Sequence, residues 1–402
     1  MSETLDVAFS RMLDDLSPES PEYAVDAVDG LFGLASEFGA SDLHLNPSPA
    51  GLEVRMRIDG VLHRAGSFPV EVRSKIVGRF KVLARLLTYR SDIPQEGRYQ
   101  HHEDQLAVRV STFPSLYGER LVVRFFGRTN QYQYVDDLGL PGEIADTLQS
   151  LLQETAGLIL ITGPAGSGKT TTAYACLREI LRSQETIRNV VTLEDPIEVT
   201  VAGAIQSQVD ARVGLDLTTG LRYLMRHDPE VIFLGEIRDH QTAEAAIQAS
   251  FTGHLLISTF HAGSATEALG RLLEMEIEPY LLRGTILGIV SQRLVRRLCD
   301  CAEWTEDEAG RFGLPITRYR RPVGCSKCAG SGYAERAAIA EFLGPRDASM
   351  ADVILERADA RTLHRQAIEA GMTPLLDCAI RLVEEGTTSP GEVRRVLGIG
   401  RV

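Results

Sequence analysis

The sequence predicts an α/β fold in which a parallel sheet is flanked by helices, preceded by a smaller α+β domain. Three observations carry this expectation. Gly163-Pro164-Ala165-Gly166-Ser167-Gly168-Lys169-Thr170 fits G-x4-G-K-[ST] and stands between an apolar run and a stretch of helix formers. Beyond residue 143, apolar runs of strand length alternate with helical stretches, the order expected of a parallel sheet. Before residue 130, apolar and polar residues instead alternate with period two, as in half-buried strands.

In order along the chain, residues 1–23 are acidic and polar and close on Ser17-Pro18-Glu19-Ser20-Pro21, which reads as a weakly ordered lead-in. Apolar residues recur at helical spacing from Ala24 to Phe38, and Gly39 ends that helix. Asp42 to Leu45, Leu52 to Ile58 and Leu106 to Val110 read as strands, with a helix over 72–87 between them. Residues 24–130 are thus an arginine-rich α+β domain, and 131–142, dense in Tyr, Asp, Gly and Pro, a linker. A second domain over 143–345 runs strand (158–162), glycine loop, helix (169–182), strand (190–194), strand (231–235), helix and strand (255–259). Four cysteines fall within it at 299–328, and 346–402 is mostly helical.

With 402 residues and 44% hydrophobic content, the chain is globular and long enough for two or three domains. Asp and Glu outnumber Lys and Arg by 55 to 42, a formal charge of -13, which argues against a broad nucleic-acid surface. The first residues lack a basic start followed by an apolar core, so no signal peptide is expected. The longest apolar runs are strand-length and too short to span a bilayer. A cytoplasmic protein follows, with membrane contact only through a partner.

The glycines of the loop let backbone N–H groups turn around phosphates at a helix N-terminus. Lys169 would reach the β- and γ-phosphates and Thr170 would hold Mg²⁺, so Gly163 to Thr170 with Thr171 form the nucleotide-binding set. Two carboxylate groups close later strands: Glu236 after Val231 to Gly235, and Glu194 with Asp195 after Val190 to Leu193. In parallel sheets ligands sit at the carboxyl ends of strands, where a carboxylate can orient water. His254 and His261 flank Leu255 to Thr259; should that strand adjoin the loop strand, one histidine would contact the γ-phosphate side, the other reading being a structural strand-end histidine.

Cys176 and Cys378 stand alone, whereas Cys299, Cys301, Cys325 and Cys328 form two short knuckles. Such thiolates can wrap a tetrahedral, structural Zn²⁺, reduced free thiols being the alternative.

Together these segments resemble the secretion-motor ATPases of type II secretion and type IV pilus assembly. The resemblance covers nearly all the chain after residue 25, through Ala40 to Leu45, Arg57-Ile58-Asp59-Gly60, Pro94 to Arg98, Val110 to Pro114 and Gly118-Glu119-Arg120. It continues through the phosphate loop, Glu194 to Glu198, His227 to Asp239, Thr252 to His261 and Gln292 to Cys299. It implies a PAS-like N-terminal domain and a RecA-like ATPase domain in a homo-hexameric ring. Such a ring uses ATP and Mg²⁺ to drive an inner-membrane platform protein, with the chain peripheral to that membrane. By motif, Arg109 and Arg124, with Arg98 as a further candidate, resemble the phosphate-contacting arginines of the first domain. Arg222 and Arg226 resemble arginines that complete a site from the ATPase domain, and Glu236, Glu194, Asp195 and His261 join the catalytic set. The first knuckle departs from the family's C-x2-C, being Cys299-Asp300-Cys301. Retraction motors typically lack the cysteines, so the resemblance points to assembly or secretion. A RecA-like nucleic-acid translocase and a nucleotide-binding scaffold without turnover stand as the competing readings.

Overall fold

The computed structural model describes residues 4–17, 19–100, 107–126, 132–183, 187–345 and 348–398, and structural statements concern these. They form two compact units, the first holding 4–126 with 298–303 and 321–335, the second 132–297, 304–320 and 336–398.

In the first unit, β1 (Asp42–Ser48), β2 (Gly51–Ile58), β3 (Val61–Phe68), β4 (Gln95–Gln100), β5 (Ala107–Ser115) and β6 (Gly118–Phe126) make one antiparallel sheet. The strand order is β3-β2-β1-β6-β5-β4. Period-two patterning sends Leu43, Leu45, Val54, Met56, Leu121 and Val123 into a core with α1 (Leu5–Asp14), α2 (Tyr23–Glu37) and α3 (Arg73–Leu83). Most intervening residues are polar, Val122 being an exception, and the register sets Arg124 opposite both Asp42 and Arg109.

Helix α1 corrects the expectation of a weakly ordered lead-in. Leu5, Ala8 and Phe9 recur at helical spacing and are buried, and the Phe9 ring meets Phe68 edge-on at 5.3 Å. Gly66 makes room, since a Cβ there would stand 2.3 Å from the Phe9 ring.

The second unit is built on β7 (Gly157–Thr162), β8 (Val190–Glu194), β9 (Ile205–Gln208), β10 (Val231–Ile237), β11 (Leu255–Phe260) and β12 (Ile286–Leu298). After a ribbon of β13 (Glu303–Thr305) and β14 (Tyr319–Arg321), β15 (Tyr333–Leu343) completes a seven-stranded sheet ordered β15-β12-β7-β11-β10-β8-β9. Every pairing from β12 to β9 is parallel. Both faces of the central strands are covered, which is why β7, β10 and β11 carry apolar runs. Ile159, Ile161, Phe233 and Ile257 pack toward α4 (Gly142–Leu151) and α5 (Lys169–Arg182). Leu158, Leu160, Leu234 and Leu256 pack on the side of the helices that follow α6 (Leu217–Leu224), namely α7 (His240–Phe251), α8 (Ala265–Glu274) and α9 (Pro279–Thr285).

Helices α10 (Ala348–Leu355), α11 (Ala360–Glu369), α12 (Leu375–Glu384) and α13 (Pro390–Leu397) close the chain. Two boundaries differ from expectation. Val135, placed in the linker, is buried in the second core, and the cysteine segments belong to the first compact unit rather than the ATPase domain.

Candidate functional site

Strand β7 lies between β12 and β11, so the loop leaving it is central to the sheet. The loop has no room for side chains at its hinges. At Gly168, with φ of 91°, a Cβ would meet the Gln292 amide nitrogen at 2.9 Å, and at Gly163 the Gln292 carbonyl oxygen at 2.6 Å. Pro164, Ala165 and Gly166 form an exposed rim, Thr170 is half-buried at the start of α5, and Thr171 is exposed.

Lys169 is buried and donates from Nζ to the carbonyls of Gly163 (2.8 Å) and Pro164 (3.0 Å). Burial pushes its pKa below the usual lysine value, and the Glu236 carboxylate opposes that shift. The Ser167 hydroxyl is buried with no hydrogen-bond partner in the protein. A cation and an unpartnered hydroxyl at a helix N-terminus fit a phosphate chain.

His261 links this loop to the acid of β10. Its Nδ1 lies 3.5 Å from Lys169 Nζ, and its Nε2 lies 2.8 Å from Glu236 Oε1. Because β11 pairs with β7 and β10, the strand ending before His261 does adjoin the loop strand. The β10 register shifts between Leu234 and Ile237, re-aiming Glu236. The Ser258 and Thr259 hydroxyls hold that irregular stretch by donating to the Leu234 and Gly235 carbonyls, each at 2.7 Å. Arg238 Nε donates to the other Glu236 oxygen at 2.7 Å, and its guanidinium reaches Asp195 at 3.3 Å. Lys169, His261, Glu236, Arg238 and Asp195 therefore form one polar chain across the ends of β7, β11, β10 and β8.

Glu194 does not join it. Its buried carboxylate accepts from the Tyr174 hydroxyl, from Thr192 Oγ1 (2.7 Å) and from Gln206 Nε2 (3.0 Å). Burial, then the charge of Glu194, pushes the Tyr174 phenol up, so it stays a donor. His254 occupies the opposite end of β11, with Nδ1 2.9 Å from the Ala249 carbonyl.

Arg222 and Arg226 lie on and just after α6, both exposed, with Arg226 over the Tyr223 ring at 5.7 Å. Among the described residues, no hydrogen bond or ion pair joins either to the loop or the acids. In the first unit, Arg109 pairs with Glu96 and Arg124 with Asp42 at 2.8 Å, while Arg98 stands opposite Arg109 in register.

The four cysteine sulfurs lie within 4.8 Å of one another, with pairs at 3.7 Å (Cys325, Cys328), 3.8 Å (Cys299, Cys325) and 3.9 Å (Cys301, Cys328). Zinc–sulfur bonds of about 2.3 Å in a tetrahedron place sulfurs about 3.8 Å apart, so the C-x-C knuckle meets the same spacing. Burial pushes the Cys328 thiol up, but the N–H groups of Cys325 and Gly332 outweigh it and hold the thiol near 6.

Sequence reasoning missed the parts played by Arg238, Gln292 and Tyr174. Arg238 was findable, because it stands only two residues from Glu236 in the chain. The other two depend on pairings that no local spacing reveals.

Residues 22–395 match the family model described as type II/IV secretion system protein. The chain is 38% identical over 406 residues to the type IV pilus assembly ATPase TfpB of Acinetobacter baylyi, covering 97% of this chain and 68% of the relative. It is 38% identical over 392 residues to the type II secretion system ATPase E of Vibrio cholerae, covering 95% and 77%. The ATPase DotB of Legionella pneumophila shares the fold, with a TM-score of 0.69 at 20% identity over 95% of this chain and 98% of that one.

Proposed function

This chain belongs to the type II/IV secretion system protein family and is an ATPase, and from that premise we propose that it is a hexameric motor for type II secretion or type IV pilus or pseudopilus assembly. The observation that carries the mechanism is the chain Lys169, His261, Glu236. Lys169 exchanges its two loop carbonyls for phosphate oxygens, and Thr170 supplies a hydroxyl for Mg²⁺, which neutralises charge on the phosphates. Glu236 orients the attacking water. His261, held between Lys169 and Glu236, relates the position of one to the other.

Arg109 and Arg124 take the role of arginines that stabilise charge on the transferring phosphoryl group, and Arg222 and Arg226 serve a neighbouring subunit's site. What supports this reading is the family motif and, for Arg222 and Arg226, exposure without ties to their own loop. The parallel sheet supports a RecA-like second domain, and the antiparallel sheet with helices on one face a PAS-like first domain. The cysteine cluster holds a structural Zn²⁺, since four protein ligands leave no open position. No helix of the described residues is long and apolar enough to cross a membrane, so the family role at an inner-membrane platform runs through a protein partner.

The deciding experiment measures Mg-dependent ATP turnover and particle mass for the wild-type chain and Lys169→Ala. A nucleotide-dependent hexamer with Lys169-dependent turnover is expected. Turnover no faster than Lys169→Ala would make the chain a scaffold, and several-fold stimulation by DNA or RNA would make it a translocase.

A further inference from the structure

We propose that Gln292 is a positioning residue for the phosphate loop, holding it from behind in the shape that binds nucleotide. Strand β12 runs parallel to β7 with Ser291 opposite Thr162, so Gln292 arrives beside the loop just as it leaves the sheet. Its side chain is buried, and both ends of the amide are used. Nε2 donates to the Ser167 carbonyl at 2.8 Å, and Oε1 accepts from Thr172 Oγ1, itself buried, at 2.9 Å.

One planar group therefore ties the last peptide of the loop to the first turn of α5. The consequence follows from peptide geometry. In a trans peptide the carbonyl and the next N–H point in opposite directions. Turning the Ser167 carbonyl toward Gln292 therefore aims the Gly168 N–H away from β12, as phosphate binding by backbone amides requires.

The same stretch also reaches the segment that carries His261. The Gln292 carbonyl accepts from Arg293 Nη1 at 2.8 Å, and Arg293 Nη2 donates to the Gly263 carbonyl at 2.5 Å. Arg293 is buried, and a buried guanidinium is costly unless hydrogen-bonded. Two adjacent residues of one strand thus hold the loop and the segment after His261 in a common frame. Gly163 and Gly168 fit the same account, because each would collide with Gln292 if it carried a Cβ.

The inference rests on nucleotide binding at this loop, so Lys169→Ala accompanies every measurement. Binding of a non-hydrolysable ATP analogue to the full chain is titrated for wild type, Gln292→Ala, Gln292→Glu and Thr172→Val between pH 6 and 8. Loss of both amide hydrogen bonds predicts about tenfold weaker binding for Gln292→Ala, and loss of one of them a smaller effect for Thr172→Val. Ionised Gln292→Glu cannot donate to the Ser167 carbonyl, whereas the protonated acid can. Its affinity should therefore recover toward wild type as the pH falls, burial having raised that carboxyl's pKa, while Gln292→Ala stays weak throughout.

Binding within twofold of wild type for Gln292→Ala would overturn the inference. So would a loss for both Gln292 variants that tracks a lower melting temperature and shows no recovery at pH 6, since that is the mark of a purely structural residue. Absence of binding by the wild-type chain would instead sink the nucleotide reading itself.

Discussion

Glu194 and Glu236 close neighbouring parallel strands and differ almost entirely in what surrounds them. The first is enclosed by three side-chain donors from Tyr174, Thr192 and Gln206. The second is held by His261 and Arg238, with Lys169 on the far side of the histidine. A carboxylate whose acceptor sites are met by uncharged donors inside the core holds elements together. One held by an imidazole and a guanidinium, with a lysine just beyond, keeps groups at hand that phosphate and water can re-engage, and is poised for chemistry. The position of an acid at a strand end thus states an opportunity, and its donors decide the outcome.

The largest test of that contrast is Glu236→Gln, expected to lower turnover by about 10² to 10³ while ATP binding persists. Single-turnover hydrolysis beside equilibrium binding would show it, and wild-type turnover would erase the distinction between the two acids. A third carboxylate extends the comparison to full burial. Glu392 accepts from Arg296 and Arg395, whose guanidiniums overcome the effect of burial and hold its carboxyl at about 2. With a folded pKa below an unfolded value of about 4.3, its contribution is complete above that value and is lost as pH falls toward 2. Glu392→Gln should cost about 3 kcal/mol at neutral pH and flatten the acid limb of stability between those values, seen by denaturant unfolding.

Glu194→Gln should destabilise by about 2 kcal/mol through unmatched donors and leave per-site turnover within about threefold. A loss of turnover as deep as that of Glu236→Gln would return Glu194 to the catalytic set. The smallest effect belongs to Arg238→Ala. About a fivefold drop in turnover is expected, because His261 still fixes one oxygen of Glu236 when the other is released.

Much of this arrangement is legible in the sequence alone. The glycine loop and the alternation after it announce a parallel sheet, and acids at strand ends announce where a ligand belongs. The lead-in misled because its scattered acids and the closing Ser17 to Pro21 punctuation outweighed its apolar residues in the reading. The buried trio of Leu5, Ala8 and Phe9 is a spacing signal that composition conceals. The separation of Glu194 from Glu236 could not be read, since Tyr174 sits on α5 and Gln206 on β9, brought to one carboxylate only by the sheet order. The same holds for Gln292, which meets the loop across more than a hundred residues of sequence.

Gly235 sets a tolerance for the whole site. A Cβ at that position would lie 3.3 Å from the Glu194 Cα, closer than neighbouring backbones normally allow. The spacing between the two acid-bearing strands is therefore gauged by the absence of a single methyl group. A methyl there would press on the Glu194 backbone, which must give by a few tenths of an ångström to admit it, next to Asp195 in the chain. Changing Gly235 to Ala would act on the Glu194 side of the site through its backbone alone, and redesign there should treat that glycine as a fixed dimension.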